Sequence, residues 1–401
     1  VTRLLEEGHT MTTFTAATVG TWTTDAHDLI TPAAWYGQHD GPVLLQDGTV
    51  LVAGGADATS SAIPDTAVFT PAAGAGEWRA KDPLHTPRQL HTLTLLADGK
   101  VLAAGGLNGA AGLRTAEVYD PGTGKWTATG PLETARWGHS ATLLADGSVL
   151  VAGGRAARTG GGTTALRSAE RYDPGQGGEW HTVAAMTDAR TGHTAVPLAG
   201  GVVLVVGGVA PTGAADDAAL AFCELYTPGE DDAPGQWTPT GNLGHARHHH
   251  RATRLSDKTV LVTGGTAPGS PGAAPFDPFS QRTVERYDLD TGTWTERAEM
   301  PSGRAFHRAV AFGSGQVLVV GGAASDRDEA GYRSAFVYDV AGNTWTPAAG
   351  LTAGRWSFAA TALSDDRVLV AGGVLRSGLA AADPAGVELT PTTELFDGST
   401  P

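Results

Sequence analysis

Residues 136–154 read RWGHSATLLADGSVLVAGG, and AERYDPG follows at 169–175 with Glu179 and Trp180 just beyond. Two short apolar runs flank Asp146-Gly147, a pair that supplies the positive-φ residues of a tight hairpin. The second run ends in a Gly-Gly pair, which marks a place where another stretch of backbone passes too closely for a Cβ. The stretch therefore predicts two antiparallel strands, a sharp stop, then two more strands carrying Tyr172 and Trp180.

The pattern recurs along the chain. Second glycines of the pair stand at Gly55, Gly106, Gly154, Gly208, Gly265, Gly322 and Gly373. Each is followed by an aromatic: Phe69, Tyr119, Tyr172, Tyr226, Tyr287, Tyr338 and Phe396. Six of these lead to a tryptophan: Trp78, Trp126, Trp180, Trp237, Trp294 and Trp345. The seventh repeat lacks its tryptophan, whereas Trp22 has no repeat before it. A strand near residues 20–24 is thus expected to complete the last repeat unit and close a ring.

These marks resemble those of the kelch repeat family, and the likeness covers residues 20–401. It implies an all-β fold, a seven-bladed β-propeller with four antiparallel strands per blade, A to D from the channel outward. The last blade is closed by the N-terminal strand, with residues 1–19 expected as a disordered tail. Tyrosine and tryptophan in strands C and D are expected to stack blade on blade.

Composition agrees with many short strands: the 401 residues include 56 glycines and 23 prolines, and only 17% are charged. A net charge of −15 argues against nucleic acid or an anionic membrane as partner, since both need clustered basic residues. A single cysteine, Cys223, excludes an internal disulfide and fits a reducing compartment. With no long apolar run, a cytoplasmic monomer is the expectation.

Spacing points to one face of the ring. Arg88, Arg136, Arg190, Arg247, Arg304 and Arg355 each lie ten residues after a tryptophan and eighteen before a second glycine. The stretch from that glycine to the strand-C aromatic instead runs 14, 13, 18, 18, 22, 16 and 23 residues. In antiparallel geometry the arginines and these variable B–C loops share one mouth of the channel, where binding residues concentrate. In animal kelch proteins the arginine position resembles one that lines the ligand-binding mouth. The resemblance implies a ring of guanidinium groups suited to carboxylates or phosphates. The competing reading pairs them with the recurring strand-C glutamates Glu117, Glu170, Glu224, Glu285 and Glu394.

Histidines stand three residues after five of the arginines: His91, His139, His193, His250 and His307. A repeated structural hydrogen bond explains them more economically than a metal ring. His245, His248 and His249 are peculiar to one repeat and are either a solvated loop or a metal or acid–base site. The first repeat breaks the frame most. By spacing, Gly37 holds its arginine position and Asp40 its histidine position, and Trp35-Tyr36-Gly37-Gln38-His39-Asp40 includes a five-residue excess. The seventh repeat has Phe358 for the histidine and Trp356 beside Arg355. Pattern breaks of this kind tend to be functional. Trp35, Tyr36, Trp137 and Trp356 are candidate stacking residues, and His39 with Asp40 a candidate acid–base pair.

Two functions remain open at this point. One is an isomerase, lyase or cyclase acting on a small, anionic molecule; the other is a module that binds a peptide or protein loop. The galactose oxidase-like propellers also have similar repeats. They need a cysteine crosslinked to tyrosine and a histidine from a later domain. Cys223 sits at the strand-C position of Ala116 and Ala169, so no copper-radical site is expected, and no other cofactor is indicated.

Overall fold

In the computed structural model the described residues are all except 1–17, 25–26, 37–40, 74–75, 176, 211–217, 230–232, 268–279, 314, 326–329 and 400–401. Seven four-stranded antiparallel sheets follow one another around an axis. Blade two is typical: strand A is Thr92–Leu95, B Val101–Ala104, C Ala116–Asp120 and D Lys125–Thr129. Blade one uses Val43–Leu44, Val50–Ala53, Thr66–Pro71 and Gly76–Lys81. The A strands of neighbouring blades touch around the axis and line the channel, with Leu93, Leu95, Ala141, Leu143 and Pro197 on its wall.

Ring closure is as expected. Thr21–Thr23 forms strand D of blade seven against Thr393–Asp397, with Trp22 opposite Phe396 and their rings 5.1 Å apart. Val19, placed in the tail by the sequence reading, already bridges to Ala348 of blade six.

The strand-B runs are buried on both faces; 101–104, for example, is 0% exposed at every residue. Each Tyr or Phe of strand C pairs with the tryptophan opposite it on strand D, so that Tyr119 and Trp126 lie 5.2 Å apart. The pair then packs on the blade before, in a cluster with Val43, Leu51 and Ala53. The stacking expected between blades is therefore ring on ring within a blade and ring on aliphatic wall between blades, save at the closure, where Phe396 meets Phe312 edge-on. The seven strand-D indole N–H groups all donate to the preceding blade, as from Trp180 to the Gly130 carbonyl and from Trp22 to that of Ala349. A polar tip on a large apolar body suits this seam between packed units.

The Gly-Gly pairs do what the sequence suggests. Gly153 and Gly154 have φ of 66° and 89°. A Cβ on Gly153 would come within 2.7 Å of the Arg190 carbonyl, so only glycine lets the next blade pass.

Candidate functional site at the upper mouth

The six arginines lie in the wall of the ring. All are 0% exposed, and each guanidinium is engaged inside its own blade. Arg136 donates from Nη1 to the Gly153 and Ser168 carbonyls and from Nη2 to Glu170 at 2.6 Å. Arg88, Arg190, Arg247 and Arg355 repeat this with Glu117, Glu224, Glu285 and Glu394. Those glutamates also accept N–H bonds from the segment entering the blade, as Glu117 does from His85 and Thr86. The pairs clamp the crossing from one blade to the next. A ring of ligand-facing guanidiniums is therefore corrected: carbonyls and carboxylates occupy these groups, and water does not reach them.

Arg304 departs from the set. Phe336 holds the glutamate register, so the guanidinium lies 5.0 Å over that ring and donates to the Ser302 and Ser334 hydroxyls. Burial without a carboxylate lowers its pKa to about 10, which still leaves it charged.

The histidine row is a row of inter-blade contacts. Nε2 of His139, His193 and His250 meets Thr92, Ser140 and Thr194 of the preceding strand A, and His307 meets Thr263. Blade one offers His91 no such hydroxyl. A polar contact of His91 with the Ala53 carbonyl falls short of hydrogen-bond geometry, and burial beside Arg88 lowers its pKa to about 3.

Blade one is aligned differently from its sequence spacing. Gly373 N–H donates to the Ala33 carbonyl just as Gly55 donates to Arg88 and Gly106 to Arg136. Ala34 bridges Ala56 as Gln89 bridges Leu107. Ala33, not Gly37, is thus the arginine counterpart, and the Trp35 ring takes the histidine's place under Gly372. The extra length falls after Tyr36, where His39 and Asp40 lie outside the described residues. Ala33 precedes Val43 by ten residues, whereas Arg88 precedes Thr94, the register equivalent of Val43, by six.

Two residues beyond each arginine counterpart, the chain forms a hoop around the mouth. His249 N–H donates to Gly192, Phe306 to His249, Ser357 to Phe306, and Trp35 to Ser357, the last at 2.8 Å. Leu90, Gly138, Gly192, His249, Phe306 and Ser357 all have positive φ, between 49° and 61°. Holding a non-glycine residue there costs about 1–2 kcal/mol, which the neighbouring bonds offset.

This conformation gathers rings on one side of the mouth. Tyr36 meets Trp356 edge-on at 5.6 Å, Trp356 meets Phe306 at 5.4 Å, and Phe306 stacks on His249 at 4.5 Å. His248 extends the arc, its Nδ1 lying 2.7 Å from that of His249, so one ring donates and the other accepts. Desolvation and the Arg155 charge lower the His249 pKa to about 4, which keeps it neutral at pH 7. Tyr36 and His249 are partly exposed, with Trp356 and Phe306 buried beneath them.

Of the proposed stacking residues, only Tyr36 presents a partly exposed ring. Trp35 is 2% exposed, within the core between blades one and seven. Trp137 is buried under Gly112 of the blade-two rim hairpin. His245 diverges from its two neighbours toward Glu296 at 3.5 Å, so the three histidines form no common site.

Sequence reasoning missed Phe306, His249 as a stacking residue, and Arg308. Arg308 donates to the Phe358 and Trp35 carbonyls, joining blades six, seven and one. Reading down the column two places after each arginine would have found the arc, since glycine gives way there to His249, Phe306 and Ser357.

Small hairpins stand around the mouth at Leu107–Asn108 with Ala111–Gly112, Arg155–Ala157 with Thr163–Ala165, Val209–Ala210 with Ala218–Ala219, and Val374–Ser377 with Val387–Leu389. The last carries Leu379, 81% exposed.

The residues do not fit a copper-radical centre. Cys223 is wholly buried among Val206, Leu243 and Val262, and burial raises its thiol pKa to about 11. No group of three or more His, Cys, Asp or Glu residues is arranged to hold a metal among the described residues. No helix among them is long and apolar enough to cross a membrane.

Comparisons with known proteins agree with this architecture. The kelch motif family matches residues 94–133. A kelch-like protein, terF, of Aspergillus terreus is 30% identical over 38% of this chain and 34% of its own length. Human kelch-like protein 15 is 27% identical over 52% of this chain and 34% of its own. The chain thus spans about a third of the length of these curated relatives. Among solved structures, a fungal alcohol oxidase of the AA5 family in complex with copper superposes with a TM-score of 0.69. It is 18% identical, over 95% of this chain and 76% of that one. YjhT gives a TM-score of 0.57 at 16% identity, over 78% of this chain and 95% of that one. At such identities the likeness is one of fold. The chain is a β-propeller of seven blades, and its blades are kelch repeats.

Proposed function

We propose that this propeller is a recognition module that takes a peptide or protein loop at its upper mouth. The observation that carries the reading is the arc Tyr36–Trp356–Phe306–His249, in which Phe306 and His249 are set by left-handed backbone on the hoop. Backbone strain of this kind clusters at binding sites, and aromatic platforms on rigid supports make good anchors. Leu379, exposed on the blade-seven hairpin, would add an apolar contact at the rim. The buried state of all six arginines weighs against an anionic small molecule as the primary ligand. The test is selection of binders from a displayed peptide library, followed by titration against Tyr36→Ala and His249→Ala. Each variant is expected to weaken binding at least about tenfold, or 1.4 kcal/mol. Equal affinity for both variants and the parent sinks the reading.

The His248–His249 pair favours a second reading, a small-molecule isomerase, lyase or cyclase. A neutral imidazole bonded to another can relay a proton. His39 and Asp40 belong to the blade-one insertion that follows Tyr36 and would supply further acid–base groups. Turnover of a small acid lost in His249→Gln, His39→Gln or Asp40→Asn would support it.

A further inference from the structure

In blades two, three, four, five and seven an arginine and a glutamate together fill the space between the incoming segment and strand C. Blade one has neither. Ala33 replaces the arginine, and Ala67, opposite Val52 as Glu117 is opposite Ala103, replaces the glutamate.

The double replacement leaves a small cavity of about 30 Å³ that opens to the surface, walled by Leu29, Ala33, Trp35, Gly54 and Ala67. The backbone around it still has the form that receives a guanidinium. Arg88 Nη1 donates to the Gly105 and Thr115 carbonyls. Their blade-one counterparts are Gly54 and Asp65, joined by the same N–H···O bond that links Gly105 to Thr115. The Trp35 indole N–H, buried in the wall, makes no hydrogen bond. At the entrance, exposed Ile30 and Ala80 flank the Asp65 carboxylate, which Thr31 Oγ1 holds at 2.9 Å.

We propose that this cavity is a binding site for a guanidinium-ended group, which docks where the other blades carry their own arginine. A planar fork satisfies two carbonyls at fixed spacing in a way that an ammonium does not. The Asp65 carboxylate at the rim and the net charge of −15 both favour a cation. The cavity and the mouth share Trp35, whose indole walls the cavity while its backbone N–H bonds Ser357 on the hoop.

Agmatine, the tripeptide acetyl-Ala-Arg-Ala-amide and its lysine analogue are the probes. Binding is read from melting temperature and from the indole N–H resonance of Trp35, identified by its loss in Trp35→Phe. Wild-type protein should bind agmatine with a dissociation constant on the order of 1 mM. The Ala33→Arg/Ala67→Glu variant, which restores the internal pair, should lose that response. Should that variant not fold, Ala67→Leu fills the cavity with an apolar side chain and should lose it too. Tripeptide binding as tight as agmatine, with the lysine analogue weaker, assigns the site to protein arginine. Exclusion of the tripeptide assigns it to free guanidines. No agmatine response in wild type, or an unchanged response in the filled variants, overturns the proposal.

Discussion

The Arg304 guanidinium lies 5.0 Å from the centre of the Phe336 ring, where five other blades place a glutamate against the arginine. The same residue thus has two energetic settings in one ring. In blade three, Arg136→Leu would strand the buried Glu170 carboxylate and should destabilise the fold by about 3–5 kcal/mol. In blade six, Arg304→Leu leaves no carboxylate behind and removes a desolvated charge, so its cost should be clearly smaller. Urea unfolding of the two variants decides the matter; an equal or larger loss for Arg304→Leu contradicts the account.

His91 should be replaceable at a gain. It is buried with no hydrogen bond of ordinary geometry, and Phe358 occupies the same place in blade seven under Gly321. His91→Phe is expected to stabilise by about 1 kcal/mol, the penalty of a buried unsatisfied polar group being removed. His250→Phe breaks a 2.8 Å bond to Thr194 and should destabilise. Thermal melts at pH 7.5 provide the comparison.

Stability should fall with acid before any carboxylate is protonated. His91, His250 and His307 have folded pKa values far below the ordinary imidazole range, because burial and nearby arginines disfavour their charged forms. Below about pH 6.5 the unfolded chain takes up protons that the folded ring refuses. The contribution is complete above pH 6.5 and is lost progressively toward pH 3. The slope is at most about 1.4 kcal/mol per pH unit for each histidine. Urea midpoints at pH 7.5, 6 and 5 test this, and His91→Phe should flatten the curve. A flat profile over that range removes the argument.

Closure of the ring rests on Phe396, which is wholly buried between Trp22 and Phe312. Phe396→Ala should cost about 3–5 kcal/mol, with the cavity added to the lost burial. Amide exchange should rise first in 21–23 and 393–397. Uniform protection across all seven blades would show that the seam is no weaker than the rest.

Much of the fold was legible because it depends on spacing. Seven Gly-Gly pairs, seven aromatics and a displaced Trp22 determine blade count and closure without reference to tertiary contacts. The site was less legible because a one-dimensional interval cannot say where an insertion falls. The excess in blade one was counted before the arginine position, yet most of it lies after Tyr36, and that shift moved the counterpart from Gly37 to Ala33. Charge was misleading for another reason. A recurring arginine reads equally as a ligand group or as the partner of a strand-C glutamate, and only the contacts of 2.6–2.9 Å decide for the glutamate. The arc shows in the sequence only as a column two places after each arginine, where His249 and Phe306 replace glycine, and their direction comes from backbone dihedrals.

The hoop has a consequence for the order in which the protein comes into being. Its bond from Trp35 to Ser357 spans more than three hundred residues, and both partners sit at the junction of the first and last blades. A nascent chain that has made six blades has stable strands and tryptophan ties, but the rim is still an open arc. The bonded rim is therefore a property of the completed ring alone, and a chain that lacks its last blade, or opens between blades one and seven, loses it.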